Sequence, residues 1–283
     1  MKDRTYIHKT EGAEEEQEKE MPFMAHLEEL RWRLIRSVIS VIILAFVAFS
    51  FKKLIFDGIL LAPKSPDFIT FESFCQLSHI VGLGEALCIK TTPFELINID
   101  MAGQFTSHII VSLISGIIAA FPYILFQIWQ FIKPGLRVNE RDTSKGVVTY
   151  SSLLFIIGIL FGYFVISPIS VRFLGTYQVS AEVTNQIRLT SYISTVSLIT
   201  LAAGILFQLP VVVYFFSKVG FLTPELLKKY RKYALVIVLI ISAIITPPDV
   251  ASQILVCLPL FVLYEISIVI SRRVNEKYGS SAN

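Results

Sequence analysis

Long apolar stretches decide what this chain can be. Residues 37–51, 109–131, 147–166 and 192–216 contain no Asp, Glu, Lys or Arg, and Gly, Ser or Ala are scattered along each of them. About 20 apolar residues in a helix cross the ~30 Å of bilayer hydrocarbon with every backbone group satisfied internally, and small residues let such helices approach one another closely. A soluble domain is excluded, since 54% of the 283 residues are hydrophobic and only 17% are charged.

Two weaker stretches follow. Residues 234–245 supply a 12-residue stretch that is apolar but for Ser242, or ~18 Å of helix, and the turn Thr246-Pro247-Pro248-Asp249 separates them from residues 250–270. The turn reverses the chain, so the two form a hairpin, and the fold class is all-α: a polytopic membrane protein with six transmembrane helices, helices five and six short. A short hairpin either thins the bilayer or offers a docking surface to another helix, unless Tyr230, Tyr233 and the neighbouring lysines extend it.

Six crossings put both termini on one side. That side receives 19 of the 25 Lys and Arg, while Lys52, Lys53, Lys64, Lys90, Arg172 and Arg188 fall on the other. The positive-inside rule therefore predicts cytoplasmic termini. Residues 1–20 carry seven acids and no apolar core. They read as a disordered acidic cytoplasmic tail rather than a signal or transit peptide, ahead of a six-helix domain at 21–275 and a cytoplasmic tail at 276–283. The first helix is then an uncleaved span, and a bacterial plasma (inner) membrane is expected.

No serine-hydrolase elbow, HExxH or phosphate-binding loop occurs, and His8, His26, His79 and His108 show no metal-ligand spacing, so neither enzyme nor metal site is expected. A secondary transporter or channel for a small solute is the alternative function, although no repeat and no mid-span charge support it. Cys75 and Cys88 fall in the long first outer loop. They either close a loop of about 14 residues, worth ~3 kcal/mol in the chain-entropy model, or remain free thiols.

Gln208 and Gln253 are the polar groups at depth. Gln208 is either interhelical glue or a contact for a polar residue on a partner helix. Ahead of the first span, HLEELRWRL (His26–Leu34) places Leu27, Leu30, Leu34 and Ile35 on one helical arc and Glu29, Arg33 and Arg36 on the other, offering carboxylates to the aqueous side. Glu29 also has an i,i+4 partner in Arg33, and Glu140 has neighbours in Arg137 and Arg141. Glu140 follows the helix-breaking Pro134-Gly135 and is expected on the same face as Glu29, where two carboxylates would suit a guanidinium ligand.

HLEELRWRL, Phe131 to Pro134 with Glu140-Arg141, Ser167-Pro168 and Thr246-Pro-Pro-Asp249 followed by Ser252-Gln253 together resemble the TatC family over residues 22–275. The resemblance implies a receptor for signal peptides bearing paired arginines, within a translocase that exports folded proteins on the proton gradient. It implies that Glu29 and Glu140 bind the arginines with Arg31, Arg141 and Phe131 around them, and that Pro63 and Asp249 mark an outer-loop structure. It further implies TatA-type single-span partners, with or without a TatB-type one, a homo-oligomer within the complex, and no cofactor. Gln208 departs from the glutamate common in the family and cannot titrate.

Overall fold

The computed structural model describes residues 23–81, 88, 94–133, 146–180, 182, 185–246 and 250–279. The acidic tail, Glu140, Arg141 and Asp249 lie outside the described residues. Among the described residues, five helices are long and apolar enough to cross a membrane.

Helix α1 (Phe23–Ser50) takes up HLEELRWRL and the first apolar stretch without interruption, since no Pro or Gly breaks the 28 residues. It rests on α3 (Gly103–Ile132). The two backbones touch at Gly116, where a Cβ would stand 2.7 Å from Ala45 N and 2.8 Å from Ala45 Cα. Only a residue without a side chain permits that crossing.

Helix α4 (Val147–Phe161) passes through a π turn at Gly162–Ile166 into α5 (Ser167–Thr176), giving one 30-residue span. The helix thus runs on past the apolar stretch that ends at residue 166: Pro168 occupies the first turn of α5, where its missing N–H is harmless. Helix α6 (Leu189–Leu206) likewise continues into α7 (Leu209–Lys218) across a break at Phe207-Gln208, with Pro210 opening α7. Gly158 and Gly162 of α4 and its π turn lie against Ala203, Gly204 and Thr200 of α6, with Gly158's Cβ position 2.8 Å from Ala203 O. This small-residue seam puts α6 at the centre, where Ile193, Val196 and Ile199 are buried.

Thr223 caps α8 (Pro224–Lys229) by accepting from Leu226 N at 3.3 Å. Helix α9 (Arg231–Ile245) has 15 residues, or ~22 Å, short of a full crossing. The partner helix differs from expectation: α10 (Val250–Gly279) has 30 residues rather than being short, and it carries the helical domain past residue 275. Arg272 and Arg273 mark the end of apolar sequence but not of the helix. Ser217 of α7 donates to Ser271 at 2.8 Å, Val274 is buried, and Arg272 pairs with Glu276 at 2.8 Å one turn on.

The end of the bundle remote from the start of α1 carries a cap that the apolar pattern did not announce. A π-helical turn at Leu54–Leu60, a 3-10 turn at Ala62–Lys64 and α2 (Ile69–Val81) lead to strand β1 (Glu95–Ile97), which pairs in parallel with β2 (Gln186–Arg188), Leu96 opposite Ile187. Leu60, Phe94, Val111 and Tyr192 form its core, and Tyr192 OH donates to Leu60 O at 2.9 Å.

Candidate functional site

The opposite end, where α1 begins and α3 finishes, gathers the chemistry. His26 stacks on Phe131, ring centroids 4.3 Å apart and 16° from parallel, which fixes the start of α1 against the last turn of α3. Further along α1, Arg33 Nε donates to Glu29 Oε1 at 2.9 Å, its Nη2 reaches the same oxygen, and its Nη1 donates to Gln127 Oε1 at 3.5 Å. Gln127 is 5% exposed. Glu29 Oε2 is buried and has no hydrogen-bond partner among the described residues.

The leucine arc of HLEELRWRL stays outside as expected, but the polar arc is not simply offered to water. Leu27, Leu30 and Leu34 are exposed, turned to where lipid would lie, whereas the Glu29 and Arg33 side chains are 23% and 18% exposed and face α3. In a bilayer the apolar arc needs no protein cover, so the polar arc is the one that seeks it. The Glu29–Arg33 pair weighed from spacing is thus made. Arg31 is exposed at the rim, and the segment that would bring Glu140 and Arg141 to Glu29 lies outside the described residues.

Sequence reasoning assigned no role to two members of this cluster: Gln127 was visible as an amide deep in an apolar stretch, and His26 gave no signal of stacking.

Gln208 sits at the break between α6 and α7, 9% exposed. Its Nε2 donates to Ser151 O at 3.1 Å and its Oε1 accepts from Ser151 Oγ, so the amide spans from α7 to α4 with donor and acceptor both engaged. It lines an open cavity of about 240 Å³ together with Trp129, Val148 and Phe215. Gln253 Nε2 donates to Leu239 O at 3.3 Å and ties α10 to α9. Glu265 pairs with Arg231 at 2.5 Å, again between those two helices, and the Arg231 guanidinium lies over Phe261, 5.6 Å from its centroid.

At the cap, Pro63 is buried in the 3-10 turn. Cys75 and Cys88 are joined as a disulfide, and His79 Nε2 lies 3.8 Å from Cys88 Sγ. The donor atoms of these three residues fall within 4.8 Å of one another, a grouping that the count of histidines alone missed. With both sulfurs bonded to each other, only the imidazole is left as a metal donor.

Residues 25–259 match the family described as Sec-independent protein translocase protein (TatC). The chain is 40% identical over 259 residues to the Sec-independent protein translocase protein TatC of Blattabacterium sp. subsp. Periplaneta americana (strain BPLAN), covering 91% of this chain and 97% of the relative. It is 38% identical to the same protein of Aquifex aeolicus (strain VF5), covering 91% and 97%. The crystal structure of a twin arginine translocase receptor, TatC, superposes with a TM-score of 0.67 at 35% identity, covering 88% of this chain and 99% of that one.

Proposed function

The chain belongs to the TatC family of Sec-independent protein translocase proteins, and from that premise we propose that it receives twin-arginine signal peptides where α1 and α3 meet. Its role in protein transport follows from the family; the residues that carry recognition are the proposal. The observation that supports them is the Glu29 carboxylate: one oxygen is held by Arg33, and the other is turned inward without a partner among the described residues.

The second oxygen is an acceptor left unsatisfied by the Arg33 pair, so a guanidinium that reaches it as the pair turns outward gains a hydrogen bond without breaking another. Arginine offers a planar fork of donors and lysine a single rotating ammonium, so a site built on carboxylates discriminates between them. Glu140 supplies the second carboxylate, with Arg31 and Arg141 at the rim and Phe131, stacked on His26, as an apolar wall. Exposed ion pairs contribute only ~0–1 kcal/mol each, so the apolar part of the signal peptide adds affinity by lying against the helices.

The remaining assignments follow from charge and length. Six spans, with α9 as the short fifth, place both termini in the cytoplasm of a bacterial inner membrane, and the acidic tail of residues 1–20 precedes the membrane domain. TatA-type subunits, with or without a TatB-type one, dock by helix packing around α9 and α10. Transport draws on the proton gradient through groups other than Gln208, which has no proton to release.

The test is photocrosslinking of a twin-arginine precursor to the full-length protein, with a twin-lysine precursor as control. Glu29→Gln and Glu140→Gln each lower crosslinking about tenfold or more, the loss expected for a hydrogen bond to a charged group worth ~1.5–3 kcal/mol. Undiminished crosslinking in both variants rejects the site.

A further inference from the structure

A groove of about 660 Å³ opens between α4, α7 and α10 at the end where α1 begins, on the other face of the α4–α7 pair from the Gln208 cavity. Its walls are apolar: Tyr150, Leu154 and Ile157 on α4, Val211 on α7, Ile266 and Ile270 on α10. Along α4 it runs from Gly146 to Ile157, and along α10 from Arg273 back to Leu263. At ~1.5 Å per residue, either length is roughly 15 Å of helix, about half of a ~30 Å hydrocarbon core.

The groove ends about there: none of its lining residues lies beyond Ile157 on α4, Pro210 on α7 or Leu263 on α10. At the mouth stands the exposed Arg273, which has no ion pair or hydrogen bond among the described residues, whereas its neighbour Arg272 is held by Glu276. A second positive charge is near: the Lys218 ammonium lies 6.0 Å from the centroid of Tyr214, a ring that also lines the groove.

We infer that this groove binds one anionic glycerophospholipid, its acyl chains against α4 and α10 and its phosphate at Arg273. A pocket one leaflet deep, apolar along its length and cationic at the headgroup level matches that molecule in shape and charge. A partner transmembrane helix fits less well, because it must run through both leaflets and the lining of the groove reaches no further than Ile157 and Leu263. The site is separate from the junction of α1 and α3 and does not depend on its role.

The test uses the full-length protein purified in detergent and titrated, in native mass spectrometry, with phosphatidylglycerol and with phosphatidylcholine of the same acyl chains. The parent retains phosphatidylglycerol about fivefold better, which is one arginine's attraction to an anionic headgroup. Arg273→Gln abolishes that preference, and Ile266→Trp, which fills the groove, lowers retention of both lipids. Equal retention by the parent overturns the proposal without recourse to any variant. So does a preference that survives Arg273→Gln, or a photoreactive residue at Ile266 that captures a protein subunit instead of lipid in native membranes.

Discussion

Replacing Gly116 by alanine tests how α1 is held. The added methyl would stand 2.7–2.8 Å from the N, Cα and Cβ of Ala45, whereas ordinary contact begins at 3.4 Å, so the helices must part by 3.4 − 2.8 = 0.6 Å or more at the crossing. Two of the three opposing atoms are backbone, and no rotamer change relieves the clash. Overpacking of this kind costs about 1–3 kcal/mol. Alanine also gains about 0.5–1 kcal/mol over glycine in a helix. Gly58→Ala, whose methyl meets nothing closer than Leu54 Cδ1 at 3.8 Å, is therefore the proper reference. The difference between the two variants isolates the steric term. At ~2–4 °C per kcal/mol for chains of comparable size, thermal unfolding in detergent resolves it.

The consequence reaches the proposed peptide site. Ala45 and Glu29 belong to one uninterrupted rod and stand ~24 Å apart along it at ~1.5 Å per residue, so separation at the crossing disturbs the far end of α1. A disulfide engineered between His26→Cys and Phe131→Cys, whose native rings stack at 4.3 Å, forms more slowly when Gly116→Ala is added. If Gly116→Ala is as stable as Gly58→Ala and crosslinks at the parental rate, the close crossing does not position α1.

Two further outcomes are expected at Gln208 and one at the cap. In a double-mutant cycle, Ser151→Ala and Gln208→Leu couple by about 0.6–1.7 kcal/mol in chemical unfolding, the range for interhelical hydrogen bonds in membranes; additive losses contradict it. Gln208→Glu retains export of a folded reporter, because a protonated carboxyl donates to Ser151 O and accepts from Ser151 Oγ as the amide does; loss of export refutes this. Alkylation of unreduced protein leaves Cys75 and Cys88 unmodified, and labelling of both without reductant rules out the pairing. Their reduction removes up to ~3 kcal/mol of stability by the loop-entropy estimate.

The apolar stretches led to the correct helices because hydrocarbon imposes a single demand, backbone satisfaction within one segment, and each stretch lies almost wholly inside the helix that carries it. Lengths were less legible. Charged residues end membrane compatibility without ending helical geometry, so α10 runs on from Ile270 to Gly279, and the stretch read as 147–166 continues as helix to Thr176. The cap escaped notice since β1 and β2 are three residues each and stabilise one another only across the sequence. Around the proposed site, residue types were readable and their facing was not. The acidic arc of α1 was read as facing water, whereas Glu29 and Arg33 turn toward Gln127 of α3, a partner that periodicity within one helix does not reveal.

The parallel bridge between β1 and β2 also sets an order of events in biosynthesis. Glu95 pairs with Gln186, far later in the chain. At ~5–20 residues per second, the earlier strand is made roughly 5–18 s before its mate exists. During that interval the ribosome builds α3, α4 and α5, while β1 displays an unpaired edge and Phe94 lacks Tyr192 beside it. The cap thus closes only after the chain has returned to the same side with α3, α4 and α5 made, which makes it a seal on the first half of the bundle, ahead of the helices that follow β2.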